Sequence, residues 1–317
     1  MNTTMHSVVI RPESRDAWLQ LRHQGVGSSE IGTLAGLNPY ETPYQLWRRR
    51  VGIDPAIPET PAMRLGHLLE GAVAQLWQDA TGREILPESE GDWIVRCQEK
   101  PWLQVSPDRT YLLPEDPSGA RQKGILECKT TQRAVDPENL PPWWFCQIQY
   151  QLGVAGLAHG SLAWLSQGRD FGYKDIAFAP DFFEWLAGLA DTFMNVNVRG
   201  NLPPDMQRGE DAMLRFPKET PDTAAEASPD THAAWLELKR LRDELKALEE
   251  KKTALEDTIK LAMGPADTLR FQGLTLATWR APKPSVRLDT KALKADHPDL
   301  FAQYSTETPA SRRLLIK

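Results

Sequence analysis

The chain has 317 residues, with 37 Lys and Arg against 43 Asp and Glu, a net charge of -6 and a pI of about 5.6. An everywhere-basic nucleic-acid coat is excluded, and 41% hydrophobic with 25% charged residues describes a globular protein of about two domains, not a fibrous or disordered one. Three scattered cysteines, Cys97, Cys128 and Cys146, exclude a disulfide framework or a four-cysteine metal site, and the absence of a long apolar window or a secretory start predicts a cytoplasmic protein.

The first 50 residues predict helix, tight turn, helix: Trp18, Leu19 and Leu21, then Gly25 to Ser29, then Ile31, Leu34, Ala35 and Leu37 at helical spacing. Ser28 or Ser29 is expected as the N-cap of the second helix, whose backbone N–H groups would suit an anion. Residues 61 to 81 predict an amphipathic helix, with Leu65, Leu68, Leu69, Ala72, Val73 and Leu76 on its apolar stripe and Gly82 at its end. Strands are expected at 93 to 95, 103 to 105, 109 to 113 and 124 to 130, paired antiparallel. A core-facing helix at 143 to 157, strands at 160 to 165 and 173 to 178, and a helix from 181 to about 198 follow. The class is α+β, a central mixed β-sheet flanked by helices.

Residues 217 to 231, rich in Pro, Thr, Ala and acids, read as a linker that ends a first domain at 216. From 232 to 317 the pattern gives a long helix with a heptad seam through Leu238, Leu241, Leu245, Leu248, Leu255 and Ile259, then a hairpin over 269 to 279 and a basic tail. The seam suits packing on its own domain and a coiled-coil contact with another subunit equally well. Residues 136 to 225 hold 6 basic and 12 acidic side chains, whereas the tail from 264 holds 9 and 5, enough to help grip a polyanion.

The chemistry concentrates at Ser106-Pro107-Asp108 and, 19 residues on, Glu127-Cys128-Lys129. Alternation along a strand puts Glu127 and Lys129 on one face and Cys128 on the other, and a hairpin brings Asp108 to them. Converging carboxylates call for a cation, and hard oxygen donors beside an amine suit Mg²⁺ or Mn²⁺ acting on a phosphodiester. Charged residues inside an otherwise apolar strand also argue for a purpose. Glu70, at the edge of the 61 to 81 stripe, is a candidate third acid. Gln147 and Gln151 share a helix face among apolar neighbours, and Gln149 lies between them; buried amides of this kind need polar partners.

In this order, Arg22, Ser29 and Glu30, then Gly66 to Glu70, then Ser-Pro-Asp108, then Glu127-x-Lys129, then Gln147 to Tyr150, the chain resembles the phage lambda exonuclease and YqaJ-type viral recombinase family, within the PD-(D/E)XK nuclease superfamily. The resemblance covers roughly residues 10 to 200. The long helix, hairpin and Ser311-Arg312-Arg313 resemble an appendage carried by phage members. It implies a restriction-endonuclease-like core with Asp108, Glu127 and the Cys128 carbonyl as metal donors, Lys129 acting on the attacking water, and Glu70 completing a two-metal Mg²⁺ site, with Mn²⁺ as substitute. Arg22 and Ser29, with Glu30 adjacent, match a pocket for a terminal 5′-phosphate; Gln147 matches a glutamine beside the catalytic centre, and Gln151 extends it.

The implied activity is Mg²⁺-dependent 5′ to 3′ degradation of linear double-stranded DNA, leaving 3′ overhangs for a single-strand annealing protein, by a homo-oligomer of trimeric-ring type. Two features depart from the pattern: the insertion around residues 114 to 122, and Arg109 where relatives often carry Gly. Alternatives are another PD-(D/E)XK habit, such as an endonuclease or a CRISPR-associated nuclease, and a non-catalytic DNA-end-binding module. A four-cysteine iron–sulfur cluster of the CRISPR-associated kind is not available to three scattered cysteines. Arg48 to Arg50 suit either a DNA backbone or a helix dipole, Trp143 and Trp144 suit core packing better than base stacking, and His67 and His159 lack zinc spacing.

Overall fold

The computed structural model describes residues 6–87, 93–306 and 312–316. Two compact units divide the chain, Met1–Arg215 and Phe216–Lys317.

The first unit opens with β1 (Ser7–Ile10), α1 (Arg15–His23), α2 (Ser28–Leu34), α3 (Pro43–Arg50) and α4 (Pro61–Thr81). Short strands β2 (Glu84–Ile85), β3 (Ile94–Cys97), β4 (Gln104–Val105) and β5 (Arg109–Leu112) lead to the long β6 (Lys123–Thr131). Helix α5 (Pro142–Ala155) returns the chain to β7 (His159–Ser166) and β8 (Asp170–Ala177); α6 (Pro180–Thr192) runs into a π-helical turn at Phe193–Arg199, and α7 (Gly209–Arg215) closes the unit.

Five strands form a mixed sheet in the order β2-β5-β6-β7-β8, with β6 and β7 parallel and the other neighbours antiparallel. This is the expected α+β class. The strands predicted as one antiparallel group divide between two sheets, however, since β3 and β4 join β1 in a separate three-stranded sheet. Pairing β1 with β3 matches Ser7 to Cys97, a separation that local periodicity cannot report.

Strand β6 sets the layers. Leu126 packs with Val73, Ala74 and Trp77 of α4, whereas Ile125 packs with Trp144, Ile148 and Leu152 of α5, so one helix covers each face. The Trp77 indole N–H donates to Ser161 Oγ at 2.8 Å, and its ring lies 4.6 Å from that of Tyr111. The α4 stripe is only partly buried: Leu65, Leu68 and Leu76 are exposed, and burial falls on Val73, Ala74 and Trp77. The buried residues lie in the C-terminal half of the helix, while Gly66 in the N-terminal half still approaches Thr130 of β6.

Two glycines of these helices make a contrasting test. A Cβ on Gly153 of α5 would stand 2.1 Å from Phe183 Cδ2, while a Cβ on Gly71 of α4 would meet nothing within 4 Å. Gly153→Ala is expected to cost about 1–3 kcal/mol by overpacking, and Gly71→Ala to gain up to about 1 kcal/mol from helix propensity. Urea unfolding midpoints of the two variants, moving in opposite directions, check this.

The segment between β5 and β6 is an ordered turn: Asp116 Oδ1 accepts from the Ser118 and Ala120 N–H groups, and Gly119 takes φ +82°. In the second unit α8 (Pro229–Met263) begins three residues before its expected start, with Ser228 as N-cap, and all six heptad residues from Leu238 to Ile259 are exposed. Strands β9 (Thr268–Phe271) and β10 (Leu274–Thr278) form the expected hairpin. Two short helices, α9 (Thr290–Asp296) and α10 (Pro298–Tyr304), follow without having been anticipated. Of the Ser-Arg-Arg ending, Ser311 lies outside the described residues.

Candidate active site

Because β5 and β6 pair antiparallel with Arg109 opposite Leu126, Asp108 is delivered to the rim of β6. Its Oδ2 accepts from the Cys128 N–H at 2.7 Å. Strand alternation turns Glu127 and Lys129 toward α5, and Cys128 packs on the other face with the α4 cluster. Glu127 is 2% exposed and is held by three side chains. Its Oε1 accepts from Lys129 Nζ at 2.6 Å and from Gln147 Nε2 at 2.5 Å, and its Oε2 accepts from Gln151 Nε2 at 2.7 Å. Lys129 Nζ also donates to Gln147 Oε1 at 2.8 Å. The i,i+4 glutamines thus find a partner in the charged strand residue, while Gln149, on another face of α5, receives the Ala179 N–H and donates to the Ala177 carbonyl.

The electrostatics follow from burial and crowding. Burial raises the Asp108 carboxyl well above the usual carboxylate range, and Glu127 and Glu70 push the same way against Lys129 and the Cys128 N–H. Burial alone would pull the Lys129 ammonium down, but Glu127 and Asp108 outweigh it and the net direction is up. Glu70 of α4 is drawn to Arg109, whose Nη1 donates to Glu70 Oε1 at 2.6 Å. Among the described residues no group of three or more His, Cys, Asp or Glu side chains is drawn together for a metal ion. Asp108 and Glu127 both line the cleft, and their hydrogen-bond partners are the Cys128 N–H, Lys129 and two glutamines.

The second half of the site is built by α1 and α2. Gly27, not Ser28 or Ser29, is the N-cap of α2; its N–H donates to Glu30 Oε2 at 2.9 Å, which closes the turn without a side-chain cap. Ser29 is thereby left to accept from Arg22 Nη2 at 2.7 Å. The Arg22 guanidinium lies 4.7 Å from the Trp18 ring centroid, with Arg15 at 3.9 Å from the same ring. Burial pulls the Arg22 guanidinium below its ordinary value, and Glu30 acts in the opposite sense. Burial pushes the Glu30 carboxyl up, yet Arg50, which donates to it at 2.6 Å, brings the net shift down. Glu30 therefore braces the turn and its arginines.

A single cleft of about 1270 Å³ joins the two halves: Arg15, Trp18, Arg22 and Ser29 line it together with Glu70, Asp108, Glu127, Lys129 and Gln147. Gln151 bridges them from below, sharing its Nε2 between Glu127 and Ser28 Oγ. Sequence reading does not single out Arg15, and it names Ser28 only as a possible cap, not as the partner of Gln151. The spacing of Arg15, Trp18 and Arg22, three then four residues apart, was the available signal that two arginines flank one indole. The Arg48 to Arg50 run is committed internally, to Asp54, Glu41 and Glu30. Trp144 is core, Trp143 packs against Gly32 and edge-on to Tyr40, and His67 pairs with Glu59. All three cysteines are free thiols.

Residues 17–158 match the family model of the YqaJ-like viral recombinase domain. The matched segment spans just under half of the chain. That segment runs from α1 to just beyond α5 and contains the site residues expected from sequence, from Arg22 to Gln151, with Arg15 just before it. The chain is 29% identical over 306 residues to the YqaJ protein of Bacillus subtilis (strain 168), covering 93% of this chain and 92% of that one. Among solved structures it is similar to an alkaline exonuclease from Laribacter hongkongensis (TM-score 0.45, 12% identity, 63% of this chain and 96% of that chain). It is also similar to a phage related exonuclease from Haemophilus somnus 129PT (TM-score 0.39, 10% identity, 56% and 95%). No helix among the described residues is long and apolar enough to cross a membrane.

Proposed function

We propose that the chain is a cytoplasmic, Mg²⁺-dependent exonuclease that degrades one strand of linear duplex DNA from its 5′ end and leaves a 3′ overhang for an annealing protein. The observation that carries this reading is the shared cleft, in which an arginine–serine anion pocket lies alongside a carboxylate–lysine set. An exonuclease needs both: one group to hold the end, another to cut.

The donor chemistry fits a hard divalent ion. Asp108 and Glu127 offer carboxylate oxygens, the Cys128 carbonyl is the third expected donor, and the crowding of Asp108 by Glu127 and Glu70 is the deficit of positive charge that such an ion would relieve. When bound, Mg²⁺ or Mn²⁺ would lower the pKa of a water and offset charge developing on phosphorus. The chain's own residues do the positioning. Gln147 and Gln151 fix both oxygens of Glu127, Lys129 holds its proton beside the scissile phosphate, and Arg22 with Ser29 grips the terminal phosphate. Assembly into a ring around the product belongs to the same reading, and light scattering of the full chain at working concentration tests it.

The deciding assay uses linear duplex DNA bearing or lacking 5′-phosphates, with Mg²⁺ or EDTA. Wild type is expected to be inactive in EDTA and faster on phosphorylated ends. Arg22→Ala should lose about 10- to 100-fold on phosphorylated ends, the scale of a hydrogen bond to a charged group, and little on unphosphorylated ones. Cutting of covalently closed circular duplex, or cleavage indifferent to EDTA, would overturn the proposal.

A further inference from the structure

Arg109 begins β5 directly after Asp108, and its guanidinium turns into the cleft. Nη1 donates to Glu70 Oε1 at 2.6 Å and to the Asp108 carbonyl at 2.5 Å, and the Arg109 and Glu70 side chains are only 19% and 27% exposed. The second contact anchors the guanidinium tip to the backbone of the preceding residue, Asp108, and with both side chains mostly buried it makes the first a built feature and not a surface pairing. Both contacts come from one nitrogen, and the planar fork of a guanidinium suits a phosphodiester oxygen as well.

Two of the three carboxylates hold a cation each. Lys129 is bound to Glu127 and Arg109 to Glu70, whereas the Asp108 carboxylate receives the neutral Cys128 N–H. Three carboxylates against two cations leave a single negative charge. One divalent ion reverses it to a single positive charge, which one phosphodiester then neutralises. A second ion at Glu70 would sit against a guanidinium already on its carboxylate.

Resting on the nuclease reading above, we propose that the Arg109 guanidinium stands in for a second metal ion at Glu70. The site then takes one hard divalent cation, on Asp108 and Glu127, and Arg109 is a positioning residue that keeps Glu70 out of the coordination set. It carries a fixed charge to the substrate phosphate without depending on the metal concentration.

The test is a titration of the full chain with MnCl₂ alone, followed by isothermal calorimetry and electron paramagnetic resonance. The wild type should bind one Mn²⁺ per chain with an uncoupled six-line spectrum. Arg109→Ala and Arg109→Gln, checked for an unchanged circular dichroism spectrum, should bind two, with a spin-coupled signal. Adding Glu70→Gln to Arg109→Ala should return the count to one. Two coupled ions in the wild type, or one ion in both Arg109 variants, would overturn the inference and leave the nuclease reading standing. No Mn²⁺ binding by any form would overturn both.

Discussion

Asp108→Asn is expected to abolish cleavage and at the same time to raise the melting temperature of the metal-free protein. The two effects have one cause. Burial, then Glu127, then Glu70 hold the Asp108 carboxyl well above its unfolded value. A carboxyl raised on folding carries no penalty at a pH below both values; the penalty enters as pH rises from the unfolded value and is complete above the folded one. At a pH above the unfolded value Asp108 therefore works against folding. Asparagine removes the charge and keeps an oxygen to accept from the Cys128 N–H. Mg²⁺ should raise the melting temperature of the wild type, because it binds only the folded state, and should leave the variant nearly unmoved. Activity should fall by roughly 10³-fold or more, the scale for removing one group from a preorganised charge-stabilising set. Differential scanning fluorimetry at pH 7.5 with and without Mg²⁺, beside a duplex degradation assay, reads both. A variant that melts lower than the wild type without metal would sink the electrostatic account.

This trade of stability for charge explains which parts of the site could be read from sequence. Glu127 and Lys129 interrupt an apolar strand, a local conflict that alternation resolves onto one face, and Asp108 joins them through a single antiparallel register. The glutamines were legible for the same reason, as amides on a helix too apolar to leave them solvated. Arg109 stands out in the sequence only as a departure, because its pairing with Glu70 of α4 joins residues 39 apart in the chain, and no periodicity within either element encodes that. The exposed Leu65 and Leu68 fail similarly: an apolar stripe shows that a helix has a preferred face, not how far along its length a sheet extends to meet it. At α2, Ser28 and Ser29 are both good caps by type, but Glu30 reaching back to the Gly27 N–H shifted the helix start by one residue and left Ser29 to Arg22.

Lys129→Gln separates two roles that its position permits. The ammonium donates to Glu127 at 2.6 Å and Gln147 at 2.8 Å, and the two carboxylates hold it above its ordinary value against the opposing pull of burial. A lysine whose pKa is raised stays protonated throughout the neutral range, so it serves as a donor and a fixed charge, not as a base that removes a proton from water. The rate with Lys129→Gln is expected to fall by about 10²- to 10⁴-fold, with DNA-end binding largely kept because Arg22 and Ser29 are untouched. The ratio of wild-type to variant rates should stay constant from pH 6.5 to 9. If the free amine were the working form, that ratio would grow close to tenfold per pH unit over the same interval, as the small deprotonated fraction increases. Single-turnover rates on 5′-phosphorylated duplex at each pH distinguish the two slopes, and a rising ratio would reassign Lys129 as the general base.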